Sequence, residues 1–149
     1  MPRSPISITV KGLEQLKEKM GAFEKGLPAA MEKTTKEVII FVHSNIPDYP
    51  PKPAGSTYTR TLTLWRTLTS FMGAVPDALS RVEKAFGELR GWIGTKLNYA
   101  PYVIDEENQT AVHRAHGWWR LQEVVLGLQD GIRNVYEKGV SRYVRSIFK

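Results

Sequence analysis

The chain contains no cysteine in 149 residues, so neither a disulfide nor a cysteine-ligated metal can hold the fold. That fits assembly in a reducing cytosol. No apolar run approaches the ~20 residues that a membrane span requires. The opening Met-Pro-Arg-Ser-Pro has no apolar core of the kind a secretory signal needs, so export is not expected. Catalytic signatures are missing too. No serine stands in a Gly-x-Ser-x-Gly setting, and no Gly-x-x-x-x-Gly-Lys run offers a phosphate cradle. Asp105, Glu106 and Glu107 are adjacent, as in a solvated turn, rather than spaced for paired acid–base work. His113 and His116 are spaced to share a helix face, but no third ligand stands at a recognised spacing. Neither an enzyme nor a bound metal or other cofactor is expected.

What is present reads as one globular domain. Hydrophobic residues make up 42% and charged residues 24%, ordinary values for a packed fold. The length suits a single domain over residues 1–149 with a real core. The net charge of +6 points toward a polyanionic partner such as nucleic acid. The basic residues are spread along the chain, however, as on an ordinary solvated surface.

Ile6 to Val10 alternates apolar and polar residues, the pattern of a half-buried strand. Leu13, Leu16, Met20 and Phe23 then recur at helical spacing, with Gly21 and Gly26 marking a turn at the end of this first helix. Pro28 suits the start of a second helix, stopped by Pro47, whose Val38-Ile39-Ile40 cluster needs tertiary burial against a sheet. His43 is expected to be a hydrogen-bonded surface or interface histidine rather than a ligand or catalyst. Residues 47–57 form a proline-rich arm with no expected core residue, either a plain connector or a grip on a neighbour. A helical turn near Leu62 to Arg66 is expected to run into a strand, followed by a turn over Gly73 to Asp77.

Ala78 to Arg90 fits helix by period; strand character near Ser80 to Phe86, paired as a hairpin with Trp92-Ile93, is favoured only by analogy with the family resemblance given below. Gly91 and Gly94 imply close backbone approach at both ends of that strand. Pro101 suits either a helix start or an extended edge. If helical, Tyr99 and Tyr102 share one face with Val103. The last helix begins at Leu121 and would span ~40 Å if continuous to Phe148. Gly127, Gly131 and Gly139 predict a bend or break in it, and its length predicts a stripe left over for another subunit.

Ile93-Gly94 followed by Tyr99-Ala100-Pro101-Tyr102-Val103 resembles the central motif of a phage morphogenesis family. Its members are the tail-completion or head–tail joining proteins of long-tailed phages, often labelled minor tail proteins. The opening strand with Lys-Gly-Leu-Glu-Gln-Leu is similar to the family's start. Arg60-Thr61 and Leu64 match a later segment, with Thr67 in place of a serine and Leu62 in place of a turn glycine. Gln109, His113 and Gly117-Trp118 follow in the family's order, so the likeness covers nearly the whole chain.

The resemblance implies a structural virion protein of the head–tail junction, assembled in the host cytoplasm. It implies a homo-oligomeric ring, on the order of six or twelve subunits, that completes the tail or joins it to the portal neck. Partners would be neck or connector proteins, tail-terminator or tail-tube proteins, and DNA passing without sequence recognition. No membrane is involved. Expected interface residues are Pro50, Pro51, Pro53, Tyr58, Tyr99, Tyr102, His113 and Trp118. Lys138, Arg142, Arg145 and Lys149 either complement the dipole of the last helix or line a DNA lumen. The expected fold is α+β: a small antiparallel sheet against two to three helices, with the second and last helices on one face of it, and a long C-terminal helix. A basic, non-specific nucleic-acid-binding module is the alternative, and a small hydrolase depending on His113 or His116 a third.

Overall fold

A computed structural model describes residues 12–57, 59–85 and 87–149. The strand expected at Ile6–Val10, and the residues Tyr58 and Phe86, lie outside the described residues. Gly12 opens the first helix with a φ of 83°, in the left-handed region. Helix α1 then runs Leu13–Ser44 as one element of 32 residues, where the sequence predicts two helices.

Gly21, Gly26 and Pro28 all lie inside α1. Pro28 withholds an N–H from the carbonyl four residues back and crowds that turn. The far end of the chain packs against this turn. Tyr143 Oη donates to the Phe23 carbonyl at 2.6 Å, and Gly26 leaves room for that hydroxyl. Asn45 then caps the helix, two residues before Pro47.

After the arm come α2 (Thr63–Leu68), strands β1 (Arg81–Ala85) and β2 (Glu88–Trp92), then α3 (Ala100–Ile104) and α4 (Ala111–Ala115). Helices α5 (Leu121–Gly127) and α6 (Gln129–Ile147) complete the chain. The strands pair antiparallel, Arg81 opposite Trp92 and Ala85 opposite Glu88, with Gly87 at a φ of 75° in the turn. The α+β class and the expected hairpin are borne out. Ile93 falls just past β2, and no strand follows α2; there Phe71 and Ser80 make only an isolated bridge.

An isolated two-stranded hairpin is marginal in water. Here it leans on α1. Gly91 lets the β2 backbone come close, since a Cβ there would stand 3.2 Å from Thr35 Cγ2. At Gly94 the same test finds only ordinary contact with Leu79, at 3.7 Å. Lys84 of β1 adds an ion pair to Glu32 of α1 at 2.9 Å.

Helix α6 packs antiparallel along α1 instead of on the hairpin. Phe23 meets Tyr143 near one end, and Thr35 Oγ1 lies 3.0 Å from Tyr136 Oη midway. The break expected in the last helix falls at Leu128, between α5 and α6. Gly131 and Gly139 have another use: they sit inside α6 where Phe41 and Thr34 of α1 press closest. A second cluster, Leu64, Leu68, Ala100, Val103 and Ile104, forms the core beneath α2 and α3.

Candidate functional site

Leu62 caps α2 at φ 58° and ψ 13°, in the left-handed region that favours glycine. The tight turn is therefore made, at a cost of about 1–2 kcal/mol for a side chain with a Cβ. Its side chain is 48% exposed and helps to line a cleft of about 470 Å³. The arm forms one wall. Tyr49 Oη accepts the Trp65 N–H at 2.9 Å, and its ring lies 4.9 Å from Trp118. Burial pushes the Tyr49 phenol above its ordinary range, so it stays protonated. Arg60 donates to the Pro50 carbonyl and stands 5.4 Å from the Trp118 ring centre, a cation–π arrangement.

Helices α3 and α4 supply the opposite wall. Pro101 occupies the first turn of α3, where its missing N–H costs nothing. Thr110 caps α4 by accepting the His113 N–H, and its Oγ1 lies 2.7 Å from His113 Nδ1. His113 meets Trp118 edge-on at 6.0 Å. Buried Gln109 ties the loop beneath, donating to the Val103 and Trp118 carbonyls at 2.8 and 3.0 Å.

Of the expected interface residues, the fold brings Pro53, Tyr99, His113 and Trp118 together in this cleft. Pro51 is exposed and Pro50 is half-buried, its carbonyl held by Arg60. Tyr102 is 57% exposed and stands outside the cleft, so only Val103 of that trio enters the core. Tyr49 corrects the expectation that the arm lacks a core residue: it packs against the core beneath α2. An aromatic residue inside a proline-rich run was the signal for it. Trp119 reinforces the attachment, its indole N–H donating to the Asp48 carbonyl at 3.1 Å.

A second surface lies on the helix pair. Leu16 and Met20 of α1 are 51% and 53% exposed, and with Phe23 and Leu27 they line an open groove of about 650 Å³. Phe148 reaches Phe23 at 5.9 Å, and Val140 and Val144 continue the apolar strip along α6. Lys138, Arg142 and Arg145 recur at four-three spacing along a different face of the same helix, and Lys149 follows just past its end. All four are exposed, and Arg142 is paired with Glu37 of α1 at 2.6 Å.

One serine does meet a histidine: His43 Nε2 lies 3.0 Å from Ser80 Oγ. Ser80 has no exposed surface, so its oxygen cannot meet a substrate. The pair joins α1 to the start of β1. Burial holds the His43 pKa below its ordinary value near 6.5, favouring the neutral ring. A depressed folded pKa means that stability is fully present above the unfolded value. It is lost as pH falls through that value toward the folded one. Urea unfolding midpoints are therefore expected to drop between pH 7.5 and pH 5, and less so in His43→Gln. Equal drops in both proteins would assign the acid sensitivity to other groups.

Among the described residues no group of three or more His, Asp or Glu could hold a metal ion, and no helix is long and apolar enough to cross a membrane. Compared with protein-family models, curated proteins and solved structures, the chain matches none.

Proposed function

We propose that the chain is a structural virion subunit of the head–tail junction of a long-tailed phage. Identical copies form an oligomeric ring that completes the tail or joins it to the portal neck. Its neighbours are neck or connector proteins and the tail-terminator or tail-tube proteins. No residue performs chemistry; affinity comes from surface buried between subunits. The observation that carries this reading is the apolar strip of Leu16, Met20 and Phe23 with Val140, Val144 and Phe148. Leu16, Met20, Val140, Val144 and Phe148 stay exposed among the described residues, while Phe23 between them is half-buried beneath Tyr143 and Phe148. Contiguous apolar surface of this kind marks an interaction site. The motifs around Tyr99–Val103 and Gln109–Trp118 give the assembly its proposed identity.

The basic face of α6 supplies the second half of the reading. A few cations per subunit multiply around a ring into a belt that attracts passing DNA without reading its sequence. A free nucleic-acid-binding module is the competing reading, favoured by the same face. Lys138→Glu with Arg145→Glu tests the two while sparing the Arg142–Glu37 pair. The free subunit is expected to bind duplex DNA weakly, with affinity falling steeply as salt rises, and the double variant to lose that binding while keeping its fold. Tight, sequence-selective binding that survives high salt would favour the nucleic-acid module.

A further inference from the structure

The cleft between the arm, α2, α3 and α4 has Arg60, held by the Pro50 carbonyl and the Trp118 ring, with His113 and His116 among its lining, and no carboxylate among the described residues. Its floor is aromatic and aliphatic. A volume of about 470 Å³ suits a loop tip rather than a helix or a domain. The cleft therefore fits an anionic loop tip.

The same chain presents such a segment. Glu106 and Glu107 are exposed, and neither forms an ion pair with a described residue. Their turn is held in place from beneath. Asp105 Oδ1 accepts the Glu107 and Asn108 N–H groups at 3.1 and 3.0 Å, and the Asn108 side-chain amide at 2.8 Å. Asp105 Oδ2 accepts from Gln122 Nε2 at 3.0 Å, while Gln122 Oε1 accepts the Glu106 N–H at 3.2 Å. These bonds hold the Asp105 carboxyl below its usual range, with Gln122 the largest cause and Asn108 next. A loop ordered in advance loses little entropy on docking.

Charge selects this turn over the chain's other candidate. The Pro50-Pro51-Lys52-Pro53 run would suit an aromatic groove. Lys52 would bring a like charge to Arg60, and Pro53 already lines the cleft of its own copy. Copies carrying a net charge of +6 repel one another unless local charges match at the contact.

We propose that the cleft receives the Glu106–Glu107 turn of a second copy of this chain. The strained backbone at Leu62 is an independent pointer. Strain of this kind collects where a side chain must be placed for contact, and Leu62 holds an exposed aliphatic group at the cleft. One copy gives its turn and uses a different patch to receive its neighbour's, so the contact can repeat from copy to copy. This rests on the assembly reading above and names one of its contacts.

Sedimentation velocity on the full chain tests it. Wild-type association is expected to weaken with salt. Glu106→Lys with Glu107→Lys is expected to weaken it at least ~10-fold, and His116→Glu to weaken it too. Mixing those two variants should restore association, because a lysine turn now meets a glutamate cleft. Leu62→Gly should raise the thermal midpoint yet weaken association; a purely local strain would move the midpoint alone. If the wild type assembles and Glu106→Lys with Glu107→Lys assembles equally well, the cleft assignment falls while the assembly reading stands. If Lys52→Glu weakens association where the acidic-turn variant does not, the proline arm is the occupant instead. A wild type that stays monomeric at every concentration overturns both.

Discussion

Replacing Gly139 with alanine is expected to destabilise the fold by about 1–2 kcal/mol, the reverse of the usual gain from removing a helical glycine. Two terms oppose each other. Alanine in a helix interior is worth about 1 kcal/mol over glycine. Overpacking a tight contact costs about 1–3 kcal/mol, and here the contact allows little relief. A Cβ at 139 would lie 2.5 Å from both Thr34 Cγ2 and Oγ1, and 3.0 Å from Thr34 Cβ. Thr34 is buried and short, and its hydroxyl donates to the Ala30 carbonyl at 2.9 Å, so it cannot swing aside. The helices must separate instead. Thr34→Ala in the same chain should recover most of the loss, which a double-mutant cycle by urea unfolding would measure. Gly21→Ala is the control: a Cβ at that place on α1 would have nothing within 4 Å, so the change should stabilise by about 0.5–1 kcal/mol.

Leu16→Glu combined with Met20→Glu is expected to abolish self-association while leaving the monomer folded. Both side chains are more than half exposed, so the monomer gains little from them. Burying such a side chain at a contact is worth about 1.5–3 kcal/mol. Losing two of them should weaken association by roughly two to four powers of ten. Circular dichroism and the urea midpoint should stay near wild type. If the midpoint collapses while association persists, the strip belongs to the fold of the monomer and the assembly surface lies elsewhere.

The second strand of the hairpin was legible from bulky Trp92 held between glycines, whereas the first was favoured only by the family resemblance, since the period of Ala78 to Arg90 fits helix. The α2 turn and the start of α5 at Leu121 were legible from local pattern, but Pro101 fitted a helix start and an extended edge equally and only the fold decides for α3. What local pattern could not supply was long-range support. Pro28 lies inside α1 on the turn where Tyr143, 120 residues from Phe23, bonds the Phe23 carbonyl. Gly131 and Gly139 read as breakers but mark close approach, since a glycine in a helix serves either end depending on what packs there. The cleft was half legible. Tyr99, His113 and Trp118 were expected at an interface through the family resemblance, whereas Tyr49, Arg60 and Leu62 gain their roles in the cleft only when the arm folds back.

The most direct test of ring assembly is the mass and shape of the purified full chain in solution, by native mass spectrometry together with negative-stain images. A structural subunit of the head–tail junction should give closed rings of one defined copy number with an open centre. The rings should disappear in Leu16→Glu with Met20→Glu. A wild-type chain that remains a monomer at high concentration, or forms only open aggregates of mixed size, would contradict it.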